Sequence, residues 1–244
     1  MTQQIPLASA EFLKCGSCSL GKLCLPVGLS TDDMMSLEDI VEAGAVFSEG
    51  EHVYRAGEPF DHIYAVKSGM FKTVLADSQG AEHIAGFHLP GELFGLDAIY
   101  SRKYGSNAIS LGTSSLCAIR YSELEALAQK LPSLQHQLMS LMSKEVHTSF
   151  VKTHDQNVDQ KLAGFLVALA ARYKQRGYSE TRFHLVMARR DIANHLNMAP
   201  ETISRLFKRF QSDGLIEVRR TDLHLLDLEA LKILSGCVEQ CSRS

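Results

Sequence analysis

At about Tyr121 the hydrophobic pattern of this chain changes from short β-type runs to a helical period, and no other feature limits the fold so tightly. Upstream, from about Ala45, β-type runs recur at 52–55, 62–66, 70–76, 83–88 and 108–119. Ser68-Gly69, Asp77-Ser78-Gln79-Gly80 and Leu89-Pro90-Gly91 separate them and tolerate the backbone angles of tight turns. This is antiparallel β, with the spacing of a small barrel or sandwich. Downstream, 122–130 reads as a short helix, with Ser122 and Glu125 placed for a capping box. Pro132 resets the chain, and no Gly or Pro follows from Ser133 until Gly164, enough for a long helix. With 244 residues, 45% of them apolar and 22% charged, the chain has room for two domains and excludes a disordered, collagen-like or coiled-coil architecture.

The remainder reads as a helix at 161–175 ended by Gly177, a short strand near Phe183, helices at 189–196 and 201–213 with Gly214 as the stop, and a closing hairpin. The hairpin strands are expected at 215–218 and 223–226, joined through 219–222. The fold class is α+β. No run of about 18 apolar residues exists, so no membrane span is expected. The first 14 residues lack the pattern of a signal peptide, so the chain is expected in the cytoplasm. Disulfides then explain its six cysteines poorly.

Net charge is −3, which by itself argues against a polyanionic partner. The average conceals a division. Residues 160–220 carry twelve basic side chains against five acidic ones, +7, which leaves −10 for the rest. A polyanion-binding module joined to an acidic partner domain has this asymmetry, and so does a plain solvated basic surface.

The helix expected at 201–213 separates the two. Ile203, Leu206, Phe207 and Phe210 recur at i, i+3, i+4 and i+7 and form a buried stripe, while Glu201, Ser204, Arg205 and Lys208 repeat on the other face. Arg donates two bonds to guanine O6 and N7, Glu accepts from cytosine N4, and Ser serves either role, so this face suits base edges in a major groove. A surface Glu–Arg pair would account for the same spacing at only about 0.3–0.5 kcal/mol. The preceding helix, the Asn197-Met198-Ala199 turn and Arg189, Arg190, Arg219 and Arg220 placed for phosphates favour double-stranded DNA. In the long helix Met139, Met142, Val146, Ser149 and Thr153 follow the 3,4 spacing of a two-helix seam, read here as a dimer interface; a core-packing helix has the same period.

Cys15, Cys18 and Cys24 form Cys-x2-Cys-x5-Cys, and Cys117 lies far along the chain. Four thiolates suit an iron–sulfur cluster or tetrahedral zinc, and spacing does not choose between them. Cys237 and Cys241 receive no role, and the ten histidines form no ligand-like pair. No catalytic pair, phosphate-cradling Gly loop or nucleophile context is present, so the chain is not read as an enzyme.

These residues carry a resemblance. Cys15-Gly-Ser-Cys18 through Cys24-Leu-Pro26, Gly86-Phe-His-Leu-Pro-Gly91, Leu141-Met-Ser143, Gln175-Arg-Gly177 and Glu201-Thr-Ile-Ser204-Arg205 closely resemble the fumarate and nitrate reduction regulators and anaerobic regulators, the oxygen-sensing branch of the cAMP receptor protein superfamily. The resemblance covers nearly the whole chain. It implies a cysteine-rich cluster-binding segment at 1–29, a cyclic-nucleotide-binding-like β-roll sensor at 30–130, a dimerisation helix at 131–160 and a winged helix-turn-helix at 161–244. It also implies a [4Fe-4S] cluster on Cys15, Cys18, Cys24 and Cys117, a homodimer on a palindrome with TTGAT-like half-sites, transcription activation, and contacts to RNA polymerase near 77–82. The cyclic-nucleotide branch has an Arg-Ser/Thr-Ala triplet where this chain reads Ser106-Asn107-Ala108, and Leu96 follows Gly91-Glu-Leu-Phe-Gly95 in place of its Glu. Without the Arg that pairs a cyclic phosphate, no cyclic nucleotide is expected. Past Val146 the long helix is more polar and shorter than the leucine-rich stretch usual in this branch.

Overall fold

The structure is a computed structural model that describes residues 15–236 except 22, 26–27, 78 and 152–155. The expected seam residue Thr153, the side chain of Ser149, and Cys237 and Cys241 lie outside the described residues. The chain divides into two compact units, 1–153 and 154–244.

The first unit opens on a 3-10 turn, Cys15–Ser17, and helix α1, Thr31–Glu38, whose N-cap Ser30 accepts the Asp33 N–H at 3.2 Å. Strands β1 (Val41–Phe47), β2 (His52–Tyr54), β3 (His62–Ser68), β4 (Phe71–Ala76), β5 (Glu82–His88) and β6 (Leu93–Phe94) follow, then the one-turn α2 (Ala98–Ser101), β7 (Asn107–Ser110) and β8 (Ser114–Arg120). They pair antiparallel into two four-stranded sheets, β1-β8-β3-β6 and β2-β7-β4-β5. Helices α3 (Tyr121–Lys130) and α4 (Pro132–Val151) close the unit.

Strand periodicity builds two cores from one sheet. On β8, Leu116 and Ala118 face the core between the sheets with Phe47, Tyr54, Phe71 and Tyr104. Cys117 and Ile119 face the opposite way, toward Leu25, Leu37 of α1, Leu124 of α3 and Leu134 of α4. The second face of the first sheet is thus covered by helices and by the cysteine segment.

Three local expectations are corrected. The run 108–119 is two strands, because the chain turns at 111–113, where the Ser110 and Ser114 hydroxyls both donate to the Gly112 carbonyl, at 2.6 and 3.0 Å. Helix α3 begins at Tyr121 with no side-chain cap; the Tyr121 N–H is held by the Asp61 carbonyl at 2.8 Å, and Glu125 accepts the Tyr121 hydroxyl at 3.2 Å instead of closing a box with Ser122. The described part of the helix after Ser133 runs to Val151, and residues 156–157 are no longer helical. A new helix is started by Asn157, whose side chain accepts the Gln160 N–H while the Gln160 side chain accepts the Asn157 N–H, both at 2.9 Å. Absence of Gly and Pro permits a helix to continue; a reciprocal cap decides where one begins.

The second unit contains α5 (Val158–Gln175), β9 (Arg182–His184), α6 (Arg189–His195), α7 (Pro200–Ser212), β10 (Ile216–Arg219), β11 (Asp222–Leu225) and α8 (Leu228–Leu234). The sheet order is β10-β11-β9, so the short strand near Phe183 joins the closing hairpin as its third strand. Arg220, with φ +58°, makes the hairpin turn tighter than expected, with only residues 220–221 between the strands.

Candidate metal centre and nucleic-acid interface

The cysteine segment returns on itself through short turns: the Cys18 N–H donates to the Cys15 carbonyl at 3.1 Å, Gly21 to Cys18 at 3.0 Å, and Cys24 to Leu20 at 3.1 Å. A Cβ on Gly21 would stand 3.4 Å from the Cys18 carbonyl and 3.5 Å from that of Cys15, in ordinary contact with both. Leu25, 1% exposed, anchors the segment in the helix-covered core. Gly91, at φ +87°, approaches it from the 89–91 turn; an added Cβ would lie 2.9 Å from Leu23 Cβ.

These turns set Cys15, Cys18 and Cys24 around one cavity of about 40 Å3 with Cys117, walled by Leu20, Leu25, Leu37, Ala65, Lys67 and Ile119 among others. Cys117 reaches it because β8 turns alternate side chains to this face, opposite Ala65 in β3. Burial pushes the Cys15 thiol up to about 11 and the Cys24 thiol to about 12; neighbouring thiols push the same way, and Glu38 adds to the effect on Cys15. The Cys117 thiol is raised by burial and partly offset by Lys67. Thiols held protonated by an apolar cavity and by one another ionise together only around a strongly cationic centre. Among the described residues, no three His, Cys, Asp or Glu side chains converge closely enough to grip a single ion. The four cysteines share the lining of one cavity. Neither Lys67 nor Glu38 is among the expected site residues: Lys67 reaches the Cys117 face only through the pairing of β3, on which Ile63, Ala65 and Lys67 alternate, and Glu38 stands on α1, where no helix is expected.

In the second unit the expected stripe is buried: Ile203, Leu206, Phe207 and Phe210 are each at most 4% exposed. Glu201, Ser204, Arg205 and Lys208 are exposed on the other face of α7. The Ser204 hydroxyl donates to the Pro200 carbonyl at 2.9 Å, so its lone pairs face outward as acceptors. Pro200 stands at the first helical position, where its missing N–H costs nothing. Asn197, at φ +53°, makes the turn from α6. The two arginines that open α6 diverge. Arg190 is exposed, whereas the Arg189 guanidinium lies 3.2 Å over the Phe207 ring with Nη1 buried and unpartnered. Burial lowers its pKa to about 10. Arg189 is therefore turned toward the base of α7 rather than extended for a phosphate. Arg219 pairs with Glu217 at 2.7 Å, and Arg220 is exposed at the wing tip.

Known proteins share this arrangement. Residues 160–234 match the Crp-like helix-turn-helix domain, and 45–130 the cyclic nucleotide-binding domain. The transcriptional activator protein Anr of Pseudomonas aeruginosa is 41% identical over 239 residues, covering 97% of this chain and 98% of its own length. The fumarate and nitrate reduction regulatory protein of Salmonella typhimurium is 37% identical over 227 residues, covering 92% and 91%. The chain belongs to the Anr/Fnr family of transcription regulators. FixK2 of Bradyrhizobium japonicum, 24% identical, has the same fold, with a TM-score of 0.71 over 78% of this chain and 96% of its own.

As an Anr/Fnr-type regulator the chain binds DNA through its helix-turn-helix and is not an enzyme. Two further features acquire meaning within the family. Helix α4 has two apolar faces: Leu134, Leu138 and Leu141 pack on the helix-covered core, while Met139, Met142 and Val146 are 64%, 44% and 55% exposed. A helix that only packed on its own core would not carry the second stripe. In the β-roll, Asn107 accepts the Ala56 N–H at 2.9 Å, and the Tyr54 and Tyr104 rings stack at 3.7 Å in a core shared with Tyr64 and Phe94.

Proposed function

We propose that this regulator responds to oxygen through a [4Fe-4S] cluster held by Cys15, Cys18, Cys24 and Cys117. The observation that carries the proposal is the single cavity that those four thiols line, with soft donors and mostly apolar walls. Four thiolates suit a [4Fe-4S] cluster or a tetrahedral zinc ion, and the likeness to the Anr and Fnr regulators favours the cluster. When bound, the cluster supplies redox chemistry with dioxygen; the chain supplies the thiolates, an apolar wall and a loop pinned by Leu25.

With the loop held against the sheet, the stripe of Met139, Met142 and Val146, continued by Ser149, pairs with a second copy. Pairing sets two Glu201–Lys208 faces about 34 Å apart, one DNA turn, on a palindrome of TTGAT-type half-sites. Glu201 and Arg205 read a G·C step, Ser204 contributes an acceptor, and Lys208 and Arg190 face the backbone. Arg189 acts beneath α7, through Phe207, instead of as the phosphate contact its sequence position suggests. Activation of anaerobic or microaerobic genes then proceeds through contact of the 77–82 hairpin with RNA polymerase in the cytoplasm. Cyclic nucleotide is excluded from control, a reading supported by the missing arginine of the Ser106-Asn107-Ala108 triplet and by Asn107 being engaged with the backbone. To swing such a regulator from about 1:99 to 99:1 takes about 5.5 kcal/mol of differential stabilisation, well within what a metal centre supplies.

Protein purified without air tests this. The expected preparation is brown, holds about four iron atoms per chain, sediments as a dimer, and bleaches to a lighter species in air. Colourless protein with one zinc per chain and a mass unchanged by air is the outcome of a constitutive, zinc-stapled regulator and overturns the proposal.

A further inference from the structure

The four-thiol cavity is electrically lopsided. Glu38 closes α1, and its carboxylate accepts the Gly16 N–H at 2.7 Å. A methyl group on Gly16 would lie 3.4 Å from that oxygen and 3.3 Å from Met34 Sδ, so the turn and the carboxylate fit without slack. The negative charge therefore stands one residue from Cys15 and acts on its sulfur. From the sheet side, Lys67 lines the cavity and its positive charge acts on Cys117. Glu38 and Lys67 are half-buried at the edge of the cavity, where their charges are screened less than in open water.

We propose that Glu38 and Lys67 together set how readily a cluster in this cavity yields an electron to dioxygen, Glu38 easing the loss and Lys67 resisting it. This rests on the cluster reading above. Transfer of one electron leaves the cluster one charge more positive and dioxygen as superoxide. The carboxylate at the Cys15 end stabilises the added positive charge, and the ammonium near Cys117 opposes it. Glu38 has a second role as a positioning residue: its bond to the Gly16 N–H ties the cysteine turn to α1 whether or not metal is bound.

Substitution separates the two roles. Full-length wild type, E38Q, E38A and K67M are purified without air; the lifetime of the visible cluster absorption after mixing with air is measured, together with Gly16 amide exchange by NMR in metal-free protein. Glutamine keeps an oxygen for the Gly16 N–H and loses the charge, so E38Q retains a protected amide while its cluster lasts about threefold longer or more. E38A loses protection and holds less iron, and K67M bleaches faster than wild type. An E38Q lifetime equal to or shorter than wild type with the amide still protected overturns the charge role; a protected amide in E38A overturns the tether; a longer-lived K67M cluster overturns the part given to Lys67. Colourless wild type with a protected Gly16 amide refutes the cluster reading and the charge roles with it, leaving the tether standing.

Discussion

Replacing Met142 with glutamate should break pairing of two copies while leaving each copy folded. Met142 is 44% exposed on a stripe with Met139 and Val146. Complete burial of such a side chain is worth about 1.5–3 kcal/mol, so sealing the exposed part, close to half, contributes about 1 kcal/mol per copy. M142E removes that from both copies, about 2 kcal/mol, and sets two carboxylates against each other across a symmetric seam, about 1 kcal/mol more at an intermediate effective dielectric. A total of about 3 kcal/mol is roughly a hundredfold in dissociation constant. Sedimentation equilibrium of air-free protein reads that constant directly, and a thermal melt at the same concentration serves as the control. Because the side chain already faces solvent on one chain, the monomer should lose no more than about 0.5 kcal/mol, the range of ordinary surface substitutions. An unchanged dissociation constant would refute α4 as the pairing surface. A large fall in monomer stability would show instead that Met142 packs on its own core.

Four further substitutions probe other parts of the molecule. R205A should cost about 1–3 kcal/mol on the cognate half-site and relax preference at one guanine, whereas K208A should weaken all sequences alike and lower the salt slope by about 0.9; fluorescence anisotropy titrations at several salt concentrations distinguish them. G91A forces a side chain onto φ +87° and against Leu23 Cβ at 2.9 Å, so it should destabilise the first unit by at least about 1 kcal/mol and lower iron retention, read by melting and by metal analysis. Asp97 is held above the usual carboxylate range by burial. Its folded form prefers the proton, so it detracts from stability once pH exceeds the unfolded value of 3.8 and does so fully above the raised folded value. D97N should therefore raise the melting midpoint at pH 7, with the gain vanishing as pH falls toward 3. A gain that persists in acid would assign the effect to something other than charge.

Much of the second unit was legible because its signals are local. A stripe at i, i+3, i+4 and i+7 has one face to bury, so Ile203, Leu206, Phe207 and Phe210 are inside and Glu201, Ser204, Arg205 and Lys208 outside without further information. The position of Arg189 was not legible. Adjacent to Arg190 it looks interchangeable with it, and only the arrival of Phe207 beneath it decides which guanidinium is drawn inward. The helix after Ser133 shows the same limit: the absence of Gly and Pro permits its continuation, and the reciprocal Asn157–Gln160 box starts α5 instead.

The cysteines divide the same way. Cys15, Cys18 and Cys24 declare themselves by spacing, since three thiols within one short loop have few ways to avoid each other. That Cys117 joins them depends on β8 lying between β1 and β3 and on which face of the sheet its odd-numbered side chains take, a matter of strand pairing over long separations. Glu38 beside Cys15, Lys67 beside Cys117 and Leu25 beneath the loop belong to the same class. Periodicity and spacing state what each segment would bury or bind; which distant segments meet is set by sheet registry and core packing, whose energies are summed over the whole chain.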